Sequence, residues 1–131
     1  MMNDGLSSMH EAVTDAEAEN ERHSIACDVA ESMPAMLSEL DCHESGMTQA
    51  MDRLDGALGG MGHCSGGNLD DLSHSATQMH SEMSDHHHRM RSSETLDVAR
   101  AECSAHVGSM VGMVQNMMGD LAGMSCMGMH P

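Results

Sequence analysis

Four times in this chain a Glu is followed four residues later by a His and four residues after that by a sulfur residue. The sets are Glu19, His23, Cys27; Glu39, His43, Met47; Glu82, His86, Met90; and Glu102, His106, Met110. Residues four apart share a helix face, so this spacing needs helix to mean anything: it aligns a carboxylate, an imidazole and a soft sulfur in one column. Four such columns on four helices line the inside of a bundle with metal-binding groups.

The columns arise by duplication. Sliding residues 6–68 onto 69–131 at an offset of 63, without a gap, superimposes all four Glu/His pairs, together with Leu6 on Leu69, Thr14 on Thr77, Met47 on Met110, Leu58 on Leu121 and Met61 on Met124. Around them runs a 3-and-4 stripe. It reads Leu6, Met9, Val13, Ala16, Asn20, His23, Cys27, Ala30 in the first segment and Leu69, Leu72, Ala76, Met79, Met83, His86, Met90 in the third. The second segment gives Met36, Leu40, His43, Met47, Ala50, Leu54, Leu58, Met61, and the fourth Ala99, Cys103, His106, Met110, Met113, Met117, Leu121, Met124. Stripes of this period predict amphipathic helices packed in heptad fashion. Pro34 marks the break after the first helix and suits the first turn of the second, and Ser92, Ser93 and Glu94 form the matching turn in the second half.

Short connections make neighbours antiparallel, so the expected fold is an all-α, up-down-up-down four-helix bundle built from two helical hairpins. The expected units are hairpin 6–58, a Gly-rich linker 59–68, hairpin 69–124 and a Met/Cys/His tail 125–131. Aligning residues equidistant from the tight turns places all four imidazoles in one layer. Cys27, Leu40, Met90 and Cys103 fall on its turn side, and Asn20, Met47, Met83 and Met110 on the far side.

Composition limits the alternatives. Leu, Ile, Val and Phe number only 16 of 131 residues and the net charge is −16, a combination typical of disorder. Eighteen Met and the Ala residues supply the missing apolar volume, without any aromatic side chain to anchor it, so a soft core that leans on bound metal is expected. Five basic residues, all Arg, against 21 acidic ones exclude a phosphate-binding footprint and attraction to anionic membranes, but attract cations. No apolar run is long enough to span a bilayer and no basic-then-apolar leader opens the chain. Abundant Met and His suit copper in an oxidising compartment, because thioethers, unlike thiols, cannot be lost to disulfides, and this favours an exported, periplasm-like setting.

The candidate metal ligands are His23, His43, His86 and His106; Glu19, Glu39, Glu82 and Glu102, either bound directly or orienting the imidazoles; and the flanking sulfurs Cys27, Cys103, Met47, Met83, Met90 and Met110. A second cluster gathers at the open end: Met61, His63 and Cys64 with Met124, Cys126, Met127, Met129 and His130, beside Met9 and His10. There a Cys64–Cys126 disulfide competes with a metal site. His86, His87 and His88 with His80 and Met83 form a candidate outer loading patch, and His87 and His88 equally suit solvated surface. Gly108 and Gly112 with Ala101 and Ala105 make a small-residue face on the fourth helix that suits close approach of a neighbour, within the bundle or in a homodimer.

Sulfur ligands pointing into a four-helix bundle resemble the bacterial copper-storage proteins, whose Cys-lined bundles hold Cu(I). The resemblance rests on Cys27, Cys103, Met47, Met83, Met90, Met110 and the end cluster, and it implies copper as cargo. The chain lacks C-x-x-x-C ladders and adds a Glu/His quartet. The Glu and His interior is also similar to ferritin-like di-metal carboxylate proteins, although those place Glu and His three apart. The expected function is therefore transition-metal binding, copper before zinc, for buffering, storage or carriage. The alternatives are a dinuclear Glu/His metalloenzyme using Fe, Mn or Zn, and an acidic helical interaction module without metal.

Overall fold

The computed structural model describes residues 4–61 and 69–124. Within them the chain forms four helices, α1 (Asp4–Val29), α2 (Met33–Gly59), α3 (Leu69–Ser92) and α4 (Leu96–Ala122), with no strand among the described residues. The tight turns are set by equivalent caps 63 residues apart. The Ser32 hydroxyl accepts from the Ala35 N–H at 3.2 Å, and the Thr95 hydroxyl accepts from the Val98 N–H at 3.2 Å. Each satisfies a first-turn donor that has no partner inside the helix. Pro34 sits in the first turn of α2, where its missing N–H costs nothing. Asp70 and Asp71 open α3 while Arg89 and Arg91 close it, both matching the helix dipole.

Pairwise contacts fix the direction of the helices. Between α1 and α2, Asp15 meets Arg53, Glu19 meets His43 and His23 meets Glu39, so partner numbers fall as chain numbers rise. The same reversal holds between α3 and α4 (Glu82 with His106, His86 with Glu102) and between α2 and α3 (Asp41 with Arg91, Asp55 with His80). It closes between α1 and α4, where Cys27 is disulfide-bonded to Cys103 and Arg100 donates to the Ala30 carbonyl at the end of α1. Neighbours are therefore antiparallel around a closed ring of four helices, the expected bundle.

The predicted stripes supply the core, with small shifts of phase. Val114 is buried where Met113 was expected to be, and Ala57 is more buried than Leu58. Among the described residues eleven buried side chains are Met, which packs without a preferred shape. The apolar interior is split in two. A larger cluster containing Met47, Met83, Met110, Leu54 and Leu72 fills the far end, and a smaller one of Cys27, Ala30, Met36, Leu40, Met90, Ala99 and Cys103 lies toward the tight turns. The four His fall between them.

Met9, Met61 and Met124 of the proposed end cluster are buried in the larger core and His10 is exposed. His63, Cys64, Cys126, Met127, Met129 and His130 lie outside the described residues, and with them the Cys64–Cys126 pairing. Cys42 is a free, exposed thiol. Ala101, Ala105 and Gly108 lie on the outer face of α4, near the exposed Val98 and Val111.

The Cys27–Cys103 bond joins α1 to α4 across 76 residues of sequence. Closing a loop of that length in the unfolded chain contributes about 4 kcal/mol. Cys103→Ala, compared with the oxidised protein by urea denaturation in chelator, should lower the unfolding free energy by roughly that amount. A loss below about 1 kcal/mol would show that the bond is not formed or does not constrain the unfolded chain.

Candidate metal centre

His23, His43, His86 and His106 are each fully buried. Their heptad positions point inward from four different helices, and antiparallel pairing brings them level. Within each hairpin the rings stack face to face, His23 on His43 with centroids 3.7 Å apart and His86 on His106 at 3.6 Å. The two stacks meet nearly at right angles. Across that junction the inner nitrogens converge: His23 Nε2 is 3.2 Å from His86 Nε2, and His43 Nε2 is 3.2 Å from His106 Nε2. Both contacts join residues 63 apart, so the duplication is present in space as a twofold relation between hairpins.

The outer nitrogens are all engaged. His23 Nδ1–H donates to Glu39 at 2.7 Å, His43 to Glu19 at 2.7 Å, His86 to Glu102 at 2.8 Å and His106 to Glu82 at 2.7 Å. Each Glu serves the His of the neighbouring helix, not the His four residues along its own. In this structure the four carboxylates thus sit behind the imidazoles rather than among the inner nitrogens. Two guanidiniums seal them from outside: Arg22 bridges Glu19 and Glu39, and Arg89 bridges Glu82 and Glu102. The sequence reading overlooked both Arg residues. They do not coincide under the 63-residue shift, where Arg22 falls on Asp85 and Arg89 on Ala26.

This arrangement fixes tautomers. An ionised carboxylate can only accept, so the proton of a neutral imidazole must sit on Nδ1, leaving Nε2 as a bare lone pair. Two such lone pairs face each other at 3.2 Å in each cross-hairpin contact, with no proton to share. Protonating the rings is no remedy. Burial lowers the pKa of all four, to about 4 for His86 and about 3 for His106, and neighbouring imidazoles add to the effect for His43, His86 and His106. A cation among the four Nε2 atoms relieves the repulsion. In a tetrahedral complex with metal–nitrogen bonds of about 2.0 Å the nitrogens lie about 3.3 Å apart, and the two cross-hairpin pairs, at 3.2 Å, meet that spacing.

Electrostatics agree on the charge. Four carboxylates and two guanidiniums leave two net negative charges around neutral imidazoles, which one divalent ion balances. Burial works against ionisation of Glu39 and Glu102, but hydrogen bonds from Arg22 and His23 to the first, and from Arg89 and His86 to the second, outweigh it and hold their pKa values below the usual range. Burial pushes Glu82 upward against Arg89.

The sulfur residues divide between the two sides of the layer. Cys27 and Cys103 are bonded to each other, with His23 Nε2 3.6 Å from either sulfur. In this oxidised state neither offers a thiolate. Met90 lies with them in the smaller cluster, while Met47, Met83 and Met110 lie in the larger one. Among the described residues two donor groups meet metal spacing, His23 with His43 and His86, and His23 with Cys27 and Cys103; His106 belongs to neither and meets the first through His43.

Two further features belong to the site. Asn20, one turn before His23 on the same face, is 1% exposed and neither of its amide atoms has a partner. Gly46 makes room for Glu19, because a Cβ there would stand 2.7 Å from the Glu19 Oε1 atom. A bare helical position, costing about 1 kcal/mol relative to Ala, thereby lets the carboxylate reach His43. On the surface, His80, His87, Glu44, Met51 and Met83 line a groove between α2 and α3 of about 290 Å³, with His87 paired to Glu44 and accepting from Arg91. His88 is exposed and lies outside this groove.

The lowered His pKa values carry a sign. Stability contributed by neutral imidazoles is fully present above the unfolded value of about 6.5 and is lost as pH falls toward the folded values, because the unfolded chain binds more protons. The depressed Glu39 and Glu102 act in the same direction. Denaturation midpoints in chelator should therefore fall steadily from pH 7.5 to pH 4; a flat profile would contradict burial of neutral rings.

No protein family, curated protein or solved structure matches this chain, so the reading of the centre rests on its own geometry.

Proposed function

We propose that this bundle binds one divalent transition-metal ion through the Nε2 atoms of His23, His43, His86 and His106, and acts as a metal buffer, store or carrier. The observation that carries the reading is the commitment of all four Nδ1–H groups to carboxylates, which leaves four inward lone pairs with nothing to accept. Carboxylate-backed imidazoles are oriented and made more basic by the same hydrogen bond. Imidazole donors suit Zn(II) and copper alike. Copper is favoured because it also has a soft monovalent state, and sulfur suited to that state lies on both sides of the layer, in Met47, Met83 and Met110 and in Met90, Cys27 and Cys103.

The dinuclear enzyme reading fits less well. It needs several carboxylates as ligands, and here each is held by an imidazole and an arginine. Storage or carriage needs no open coordination position, and complete burial of the four rings suits retention.

Equilibrium dialysis of oxidised protein against Zn(II) or Co(II) should give about one tightly held ion per chain. His23→Ala with His106→Ala should abolish it, whereas His87→Ala with His88→Ala should not. Equal loss in both pairs would overturn the reading. Glu39→Gln should weaken binding about ten- to hundredfold without changing stoichiometry. Met47→Leu with Met110→Leu, close to volume-conserving, should weaken Cu(I) while leaving Zn(II) unchanged; unchanged Cu(I) affinity would make both residues plain core.

A further inference from the structure

On the tight-turn side of the imidazole layer, four buried sulfur side chains meet in one cluster, a sulfur chamber in the sense of its lining atoms. Cys103 Sγ is bonded to Cys27 and lies 3.9 Å from Met36 Sδ and 4.0 Å from Met90 Sδ. His23 Nε2 is 3.6 Å from both half-cystine sulfurs, and all five residues are buried. Packing alone does not require cysteine here. The 63-residue shift places Met90 on Cys27 and Leu40 on Cys103, and both counterparts fill the same cluster as ordinary apolar side chains.

We propose that this chamber is a second cation site, opened by reduction of the Cys27–Cys103 disulfide, that takes the soft monovalent ion Cu(I) on Cys27, Cys103 and His23 with Met36 and Met90 beside them. The proposal deepens the copper reading above and rests on it for the class of ion. A dithiol reductant supplies two electrons and two protons. The S–S bond breaks, Cys27 and Cys103 become thiols, and the reductant leaves as its own disulfide. Binding of Cu(I) then releases the two thiol protons to solvent, giving two thiolates and one imidazole around the ion. Thiolates and thioethers select Cu(I) over harder cations.

His23 is common to both sites and has a single free lone pair on Nε2. An ion in the chamber therefore withdraws one nitrogen from the four-imidazole centre. Reduction and Cu(I) should loosen the divalent ion, and oxidation should return His23 to it. The disulfide thus sets which cation the bundle retains.

The test uses full-length protein carrying Cys42→Ser, Cys64→Ser and Cys126→Ser, so that only the chamber thiols remain. It is compared anaerobically in oxidised and dithiol-reduced forms after removal of the reductant. In competition with a chromogenic Cu(I) chelator, the reduced form should retain one more Cu(I) per chain than the oxidised form, with near-ultraviolet thiolate-to-copper absorption. Adding Cys27→Ser and Cys103→Ser should remove that gain while Co(II) still shows its visible bands at the imidazole centre. Met36→Leu with Met90→Leu, which keeps the disulfide, should weaken the reduced-state Cu(I) about tenfold.

Equal Cu(I) retention in both redox forms overturns the proposal, as does a reduction-dependent gain that survives loss of both chamber cysteines. Failure of the oxidised protein to hold Co(II), with the Cu(I) gain intact, would instead reject the four-imidazole centre and leave the chamber standing.

Discussion

The interaction on which the rest depends is the hydrogen bond from each buried Nδ1–H to a carboxylate on the adjacent helix, at 2.7–2.8 Å in all four cases. It orients the ring, chooses the tautomer and turns Nε2 toward the bundle axis. Four such choices made together convert a polar layer, which by itself costs free energy in a core, into a converging set of donors. The antiparallel hairpin is what makes the bond possible: Glu19 and His23 on one helix exchange partners with His43 and Glu39 on the other.

Much of the molecule serves that layer. Arg22 and Arg89 each bridge two of the carboxylates and cover them, two of the five basic residues in a chain of net charge −16. Gly46 gives up a side chain to admit Glu19. The Met-rich clusters on either side exclude water without a rigid packing pattern, so the exact placement of the helices falls to the polar layer and to the disulfide. A bound ion that recognises only the folded chain adds its binding free energy to a core poor in branched aliphatic residues.

The helices, their order and the single His layer were legible because the i, i+4 columns and the 3-and-4 stripe are strictly periodic and repeat at 63 residues. The caps at Ser32 and Thr95 belong to the same repeat. What the repeat could not show is what departs from it. Arg22 and Arg89 occupy non-equivalent positions yet do equivalent work, and the Cys27–Cys103 bond joins residues whose counterparts are Met90 and Leu40. The heptad register puts both cysteines in the layer on the turn side of the His, on adjacent helices, so proximity was the available signal for the bond. The exchange of Glu partners was also available in principle, since an antiparallel hairpin that levels His23 with His43 brings Glu39 and Glu19 against the opposite rings. The preference among carboxylate positions needed side-chain geometry, because a Glu on the shoulder of the stripe reaches either inward or across.

The central claim is that one divalent ion is held by four imidazole nitrogens and by nothing harder or softer. X-ray absorption at the Zn edge of oxidised, Zn-loaded protein reads this directly. The account predicts four nitrogen scatterers at about 2.0 Å with the outer-shell pattern of imidazole rings. A carboxylate oxygen shell, a sulfur scatterer near 2.3 Å, or six-coordinate geometry would contradict it.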